Sequence, residues 1–360
     1  MKKIRVLHII YELVYGGAEK AVYDLSRFTS KDKFDVSVLM IGDDISRVPD
    51  FKRDNIPVHY VDPKPIKFRP YRIPYRLWEG VNKIAEMDKE QKINVIHAHL
   101  PYPAMLATAA KLKLPHIKTV FSPHSFNLES KRNELIFYLT KKWRNMDVMY
   151  TKGMYSNIYK KDSAVIPNGI QMKEFELELP KFERFSFLCI GRLKIPKNQS
   201  ALIKAAKELV DKGYDFEVLL VGEGPDKEML EQEVKELGLE NTVTFLGLRK
   251  DIPQLLNQGH ALVLCSLWEG LPNVLLEAAA SSLPIITTAV GSIPELMDND
   301  NLGYIIPDSS KLSEKMIEVM DNYEEAKQRG IRFKNKMKKQ FDMDIVTQQY
   351  EDLYTNLANG

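Results

Sequence analysis

Short apolar runs alternate with amphipathic, helix-like stretches along the 360-residue chain. The apolar runs are rich in β-branched side chains, which favours buried strands. Strands that alternate with helices are typical of parallel sheets with crossover helices. The predicted strands span residues 4–10, 35–41, 58–61, 94–99, 118–122, 147–150, 163–166, 185–190, 216–221, 242–246, 261–265, 284–288 and 303–306.

The alternation is interrupted once, at residues 171–184, where Glu, Lys and Pro replace the apolar periodicity. Because one core rarely holds 360 residues, we predict two Rossmann-like, doubly wound α/β domains, residues 1–172 and 173–341. No strand is predicted after residue 310. The last amphipathic segment, about residues 342–360, is therefore free to fold against either domain.

The composition, with 44% hydrophobic and 28% charged residues, is that of a globular protein. No run approaches the roughly 18 apolar residues of a membrane span, and the first ten residues lead into a strand rather than a signal peptide. We therefore predict a cytoplasmic protein. Cys189 and Cys265 each lie in an apolar run and are interpreted as buried hydrophobes, without a disulfide or zinc site.

Charge is distributed unevenly, with 30 Lys and Arg against 19 Asp and Glu in residues 1–175, and 21 against 30 in the remainder. A basic helix with an apolar, aromatic centre is predicted around Leu135. Such a helix either lies on an anionic membrane surface or packs on its own domain, and the sequence leaves both open. Nothing indicates nucleic-acid binding. The basic groups are Lys64, Lys67, Arg69, Arg72 and Arg76; Lys111, Lys113 and Lys118; and Lys131, Arg132, Lys141, Lys142 and Arg144.

Two carboxylates, Glu269 and Glu277, stand eight positions apart after the apolar run 261–265. This spacing predicts Glu269 in the loop after a strand and Glu277 on the first turns of the next helix, facing one crevice. Between them lie Gly270, Leu271, Pro272 and Asn273, where free amides and the helix dipole form an anion site. An anion site beside carboxylates that can grip hydroxyls indicates a nucleotide sugar.

Other candidates follow predicted strands, at the edge where open α/β sheets bind ligands. Arg192 and Lys197 follow the strand 185–190, and two cations there suit a departing diphosphate without a metal. Gly222, and the pair Gly16 and Gly17, form turns that let backbone approach a ligand closely. His124 is predicted to open onto the crevice between the domains, whereas His97 and His99 are interpreted as core residues. Dinucleotide and P-loop motifs do not occur, and no Asp-x-Asp pair offers itself to a divalent cation.

With these motifs the chain resembles the retaining glycosyltransferases of GT-B architecture that carry a Glu-x7-Glu element, the glycosyltransferase family 4-like group. The resemblance covers essentially the whole chain. Its markers are Gly16-Gly17-Ala18-Glu19, His124, Pro167 to Ile170, Gly191-Arg192-Leu193 with Lys197, Val221 to Pro225, Phe245 to Gly247, Glu269 to Glu277 and Gly291 to Glu295. Asn198 and Ser292 replace glycines that are common in the family. The resemblance implies two Rossmann-like domains facing a deep cleft.

The resemblance also implies the activity: a hexose-type sugar moves, with retention, from a nucleotide sugar, with UDP favoured, to an acceptor. The expected acceptor is lipid-linked or an intermediate of a surface polysaccharide or glycoconjugate, met at the inner membrane face. No metal or other cofactor is expected. The last helix, about 342–360, would complete the N-terminal, acceptor-binding domain. The implied catalytic residues are His124, Arg192, Lys197 and Glu269, and the implied donor-binding residues are Gly16, Gly17, Gly222, Leu248, Arg249, Gly270, Leu271, Pro272, Asn273 and Glu277.

Two other functions remain open from the sequence. GT-B sugar-nucleotide epimerases share the architecture but lack the Glu-x7-Glu pattern with its Gly-Leu-Pro. A non-catalytic subunit that binds a nucleotide sugar is the second alternative, and the intact charged positions speak against it.

Overall fold

The computed structural model describes residues 3–61, 72–124, 131–151, 156–297, 299 and 301–360. The chain forms two compact units, which we call the N-terminal unit (Met1–Gly169 with Met343–Gly360) and the C-terminal unit (Ile170–Asp342). The divisions predicted from the sequence lie after residues 172 and 341. Of the predicted basic positions, Lys64, Lys67 and Arg69 lie outside the described residues, as do the side chains of Arg72 and Arg132.

The N-terminal unit contains a seven-stranded parallel sheet with the strand order β3-β2-β1-β4-β5-β6-β7. The order reverses between β1 and β4, which is the point where ligands bind in doubly wound sheets. The strands are β1 (Ile4–Ile10), β2 (Phe34–Met40), β3 (Val58–Tyr60), β4 (Val95–His99), β5 (Lys118–Ser122), β6 (Met146–Met149) and β7 (Ala164–Val165).

Helices connect these strands. Proline opens α4 at its first position, where its missing N–H has no intrahelical partner to lose. The helices are α1 (Gly17–Phe28), α2 (Val48–Arg53), α3 (Arg72–Gln91), α4 (Pro101–Lys113) and α5 (Lys131–Thr140).

The C-terminal unit repeats the design with a six-stranded parallel sheet in the order β10-β9-β8-β11-β12-β13. The two sheets confirm the predicted α/β class. The strands are β8 (Ser186–Ile190), β9 (Glu217–Val221), β10 (Val243–Gly247), β11 (Ala261–Leu264), β12 (Ile285–Thr288) and β13 (Tyr304–Ile306). The helices are α6 (Gln199–Asp211), α7 (Lys227–Glu236), α8 (Ile252–Gln258), α9 (Asn273–Ala280), α10 (Ile293–Leu296), α11 (Leu312–Asp321) and α12 (Tyr323–Phe341).

The final helix, α13 (Met343–Asn359), belongs to the N-terminal unit. Its buried face carries Val346, Tyr350 and Tyr354, which share a core cluster with Val6 of β1 and Val95 of β4. Apolar residues at this helical spacing explain why the segment packs on the sheet.

The segment 171–184, predicted as a linker, is anchored to the C-terminal unit. Met172 and Phe175, in a 3₁₀ turn, are buried in its core. The side-chain amide of Asn257 donates to the Phe175 carbonyl at 2.9 Å. Two apolar side chains among charged neighbours therefore suffice to hold the segment against the core of the C-terminal unit.

Within the part of the chain that the structure describes, no helix combines the length and apolar character needed to cross a membrane.

Candidate functional site

Predicted site residues follow four adjacent strands of the C-terminal unit. Because β10, β9, β8 and β11 are neighbours and run parallel, their carboxyl ends meet at one edge of the sheet. We call this the C-terminal site edge. The residues that follow these strands are Leu248 and Arg249 after β10, Gly222 after β9, Arg192 and Lys197 after β8, and Glu269 after β11.

Lys197 and Glu269 form an ion pair at this edge. The Lys197 Nζ lies 2.5 Å from Glu269 Oε1, and the Ser266 hydroxyl donates to the same oxygen at 2.7 Å. The two side chains are only 19% and 11% exposed, so solvent screens their attraction less than that of a surface pair. The sequence predicted both charges but neither the pairing nor Ser266.

The turn that carries Lys197 is held by a buried thiol. The Cys265 Sγ donates to the carbonyl oxygens of Lys197 and Asn198 at 3.3 and 3.1 Å. Cys265 directly follows β11, so β11 holds the turn that follows β8. Both cysteines are free and buried, as predicted.

Close backbone packing explains the glycine at position 222. Its φ of +138° lies in a region that favours glycine. A Cβ built there would overlap the carbonyl oxygen of Gly191, at the end of the neighbouring strand. The two turns therefore approach each other as only glycine allows.

The loop from Glu269 to Pro272 is shaped by the turn after β12. The Ser292 hydroxyl donates to the Gly270 carbonyl at 2.8 Å, and the Ser292 amide donates to the same oxygen at 3.2 Å. Gly291, with φ +60°, packs against the Glu269 carbonyl, where a Cβ would overlap. This packing fixes the start of α9, with Pro272 as its N-cap.

Glu277 lies in the second turn of α9 and is partly buried, as Leu271 and Asn273 are. The first-turn amides of α9 have no helical acceptor preceding them, which is the general property that makes a helix N-terminus attract anions.

The other predicted residues of this edge are more open. The Arg192 side chain is exposed, and its carbonyl accepts from Gln199 at 3.1 Å. Arg249 pairs with Asp251 through two bonds of 2.8 and 2.5 Å. Leu248 is 79% exposed. Of these predicted cations, Lys197 is the one that the structure brings against Glu269.

In the N-terminal unit, Gly16 and Gly17 open α1, as predicted for a strand-to-helix turn. The carboxylate of Glu19, in the first turn, folds back over Gly16. Burial raises the pKa of Glu19, and its own backbone amide opposes that shift. A side-chain carboxylate thus lies at the helix N-terminus where the sequence analysis expected a ligand phosphate.

His124 follows β5 and has φ +58°. Its Nε2 lies 2.8 Å from Nδ1 of His99, and its Nδ1 pairs with the Tyr150 hydroxyl. Burial lowers the pKa of His124 to about 3, so the ring is neutral near pH 7. Neither His99 nor Tyr150 was predicted from the sequence as a partner of His124.

Three more histidines line the core beside His124. His8, His97 and His99 are at most 2% exposed, and they offer nitrogen atoms within 4.8 Å of one another. His97 and His99 are core residues, as predicted. His8 was not predicted from the sequence as part of this cluster, although it lies in the first apolar run.

The chain is similar to known glycosyltransferases over most of its length. The family descriptions "Glycosyltransferase Family 4" and "Glycosyl transferases group 1" match residues 15–174 and 172–336. The N-acetyl-alpha-D-glucosaminyl L-malate synthase of Bacillus anthracis is 26% identical over 303 residues, 76% of this chain and 77% of that protein. The UDP-Gal:alpha-D-GlcNAc-diphosphoundecaprenol alpha-1,3-galactosyltransferase of Escherichia coli is 23% identical over 332 residues, 84% of each protein.

Solved structures share the fold. Anabaena HepE in complex with UDP-glucose matches with a TM-score of 0.82 at 19% identity, over 98% of this chain and 100% of that one. The two parallel α/β units are those of the GT-B class of enzymes. The chain belongs to the family 4-like glycosyltransferases, and it is a transferase.

Proposed function

We propose that the protein transfers a hexose-type sugar from a UDP-sugar to an acceptor, with retention of anomeric configuration and without a metal ion. The observation that carries this proposal is the Lys197–Glu269 pair at the C-terminal site edge. In this proposal Lys197 is the cation for the leaving diphosphate, and the neighbouring Glu269 is the carboxylate for the sugar hydroxyls.

Lys197 and Arg192 act on the leaving group in this proposal. Negative charge grows on the diphosphate as the glycosidic bond breaks, so a fixed cation stabilises the transition state more than the bound donor. Lys197 is already held in place by Glu269 and by its turn. The leaving phosphate accepts the acceptor's proton on the face it has left, which accounts for retention.

The two carboxylates recognise hydroxyl groups. Among the described residues, both hydrogen bonds to Glu269 end on Oε1, which leaves Oε2 to accept from the donor sugar. Glu277 is assigned to the ribose hydroxyls, and the amides at Gly270 to Asn273 to the sugar. The backbone at Leu248 and Arg249 is assigned to the base, and Gly222 to close approach of the diphosphate.

UDP is favoured because the similar Escherichia coli enzyme is named for a UDP-galactose donor and the similar Anabaena structure holds UDP-glucose. A thermal-shift screen of UDP-, GDP- and ADP-sugars in EDTA tests donor and metal together. We expect UDP-sugars to give the largest stabilisation with EDTA present. Stabilisation by GDP- or ADP-sugars alone, or only after metal addition, contradicts the corresponding part of the proposal. Conversion of donor alone to an epimeric nucleotide sugar would instead indicate an epimerase.

We further propose a lipid-linked acceptor, met at an anionic membrane surface on the inner face. The support is α5, where Leu135, Tyr138 and Leu139 are each more than half exposed. Lys141 and Lys142 follow directly, and the Lys142 Nζ lies 4.3 Å from the Trp143 ring centroid. Exposed apolar side chains beside lysines suit an interfacial helix.

Flotation with phosphatidylglycerol-containing vesicles tests the membrane proposal. Wild-type protein should float at low salt, and Leu135→Glu should not. Met229→Glu, at an equally exposed apolar position on α7, is the matched control and should float like wild type. Absence of wild-type flotation, or equal loss in both variants, would contradict the proposed surface.

A further inference from the structure

A continuous row of hydrogen bonds runs through the N-terminal unit to His124. His8 Nδ1 lies 2.9 Å from His99 Nε2, and His99 Nδ1 lies 2.8 Å from His124 Nε2. His124 Nδ1 in turn pairs with the Tyr150 hydroxyl. We call these four residues the histidine row.

Strand order brings the row together. β4 lies between β1 and β5, and its register places His8 opposite His97 and His99 opposite Ser122. His97 and His99 face the same side of the sheet because side chains alternate along a strand. His124 is two residues beyond Ser122, so the row reaches from the middle of the sheet to its carboxyl end.

The rings of the row are neutral near pH 7. Burial lowers the pKa of His8 and of His124 to about 3, and that of His99 well below its ordinary value. A neutral imidazole carries one proton, so one ring nitrogen donates and the other accepts.

This makes the protons of the row interdependent. Each of the three links needs one proton, so a donor at one nitrogen forces the tautomer of the next ring. If every link is a hydrogen bond, all three rings carry the proton on Nδ1 or all three carry it on Nε2. The first arrangement leaves His8 Nε2 bare, and the second places an N–H there.

The surroundings of His8 favour the first arrangement. His8 is fully buried, and its Nε2 has no hydrogen-bond partner among the described residues. An unpaired buried donor is rarer in proteins than an under-satisfied acceptor. In the first arrangement the Tyr150 oxygen accepts from His124 Nδ1, so the proton without an acceptor in the row is the hydroxyl proton of Tyr150. Tyr150 is 7% exposed.

We propose that His99, supported by His8, is a positioning residue that holds His124 as the neutral Nδ1–H tautomer. Both nitrogen atoms of His124 then point to partners within its own unit. The ring carbons and main chain are left for contact with a sugar, and His124 is not an acid or base. The link to the reaction rests on the proposed function and on the catalytic role that the family resemblance implies for His124.

The same contacts argue against a metal centre at His8, His97 and His99. His97 directs Nδ1 to the Tyr354 hydroxyl at 2.7 Å and Nε2 to the Ser122 hydroxyl at 2.8 Å. Both nitrogen atoms of His99 belong to the row. Metal binding would have to break these bonds.

Nitrogen-15 NMR of histidine side chains tests the proposal on the free protein, because protonated and bare ring nitrogens differ in chemical shift. Wild-type His124 should carry its proton on Nδ1. In His99→Leu nothing donates to Nε2, the Tyr150 hydroxyl can donate to Nδ1, and His124 should shift to Nε2–H. His99→Gln, whose amide can donate to Nε2, should restore Nδ1–H.

His97→Leu is the matched control, since His97 is buried on the same strand face but lies outside the row. It should leave the His124 tautomer unchanged. An Nε2–H form in wild-type protein overturns the proposal, and this result needs no variant to fold. So does an unchanged His124 in His99→Leu, or an equal change in His97→Leu.

Kinetics then test the link to the reaction. His99→Leu should lower kcat by about tenfold through misplacement of His124, with the donor KM unchanged, whereas His97→Leu should stay within about twofold of wild type. A tautomer change without a change in kcat would refute the catalytic role of His124. The hydrogen-bond assignment would stand.

Discussion

The two units share one architecture but differ in how they use the carboxyl ends of their strands. The C-terminal unit presents a partly exposed ion pair, Lys197 with Glu269, among glycine turns. The N-terminal unit places neutral, buried histidines beneath the corresponding edge. One edge offers charge and close backbone approach, while the other holds a single ring, that of His124, in a defined orientation.

The difference shows that a shared fold does not determine the chemistry of its edge. Burial separates the two edges: Lys197 and Glu269 in the C-terminal unit are paired and partly exposed, whereas the N-terminal imidazoles lose their charge to desolvation. Charge stabilisation is therefore assigned to the C-terminal unit and positioning to the N-terminal unit.

The largest expected difference between the two units is the loss of stability at low pH, which should be greater in the N-terminal unit. The pKa values of His8, His97 and His99 are lowered in the folded state, so below about pH 6.5 the unfolded chain binds protons that the folded chain does not. The free energy of unfolding is highest above that pH and decreases as the pH falls. Between pH 7 and 5 we expect a loss of about 2 kcal/mol per histidine.

Hydrogen exchange with mass spectrometry at pH 7 and pH 5, corrected for the intrinsic exchange rate, measures this loss in each unit. Amides of β1 and β4 should lose more protection than those of β8 and β11. In the C-terminal unit burial lowers the pKa of one described histidine, His260, to about 4, so fewer groups contribute there and the total loss should be smaller. Equal losses of amide protection in both units would contradict the proposed difference between them.

Lys197→Ala should lower turnover by about 100-fold or more, the range for removing one transition-state contact. Lys204→Ala, an exposed lysine of the same unit, is the control and should retain activity. Steady-state rates at saturating donor measure the effect. A Lys197→Ala rate near that of wild type would remove the charge-stabilising role from the C-terminal unit.

Gly222→Ala should destabilise the C-terminal unit by about 2 to 3 kcal/mol, through an unfavourable φ and overlap with Gly191. Gly213→Ala is the matched control: its φ is +81°, but a Cβ there has no neighbour within 4 Å. We expect about 1 kcal/mol for Gly213→Ala. Urea unfolding gives both values, and equal values would mean that close approach of the turns contributes nothing.

Glu277→Gln should have the smallest effect, about tenfold weaker donor binding, since one hydrogen bond to a charged acceptor is replaced by a neutral one. The donor KM should rise while kcat changes little. Glu228→Gln, in the first turn of α7 and exposed, should leave both unchanged. A fall in kcat without a change in KM would point to a role in chemistry instead.

The sequence was sufficient to predict most of the fold because each strand is a local apolar pattern. The predicted strands 4–10 and 118–122 coincide with β1 and β5, and every other predicted strand end lies within one residue of the observed end. The position of Glu269 after a strand also followed from local pattern. The division between the units falls after Gly169, just before the predicted linker 171–184. The packing of Met172 and Phe175 was not predicted because they are few among charged neighbours.

Contacts between distant residues were not predictable. Lys197 and Glu269 are 72 positions apart and meet because β8 lies beside β11. His8 and His99 are 91 positions apart and meet because β1 lies beside β4. The sequence names the charged and polar residues, but strand order decides which of them become partners.

The central claim is that the C-terminal unit carries a metal-free site for a nucleoside diphosphate, with Lys197 as a principal contact. Calorimetric titration of UDP into full-length protein in EDTA tests it most directly, with Lys197→Ala and Lys204→Ala alongside. We expect wild type and Lys204→Ala to bind UDP without metal, and Lys197→Ala to bind at least about tenfold more weakly. Binding that requires an added divalent ion, or equal affinity in all three proteins, would contradict the account.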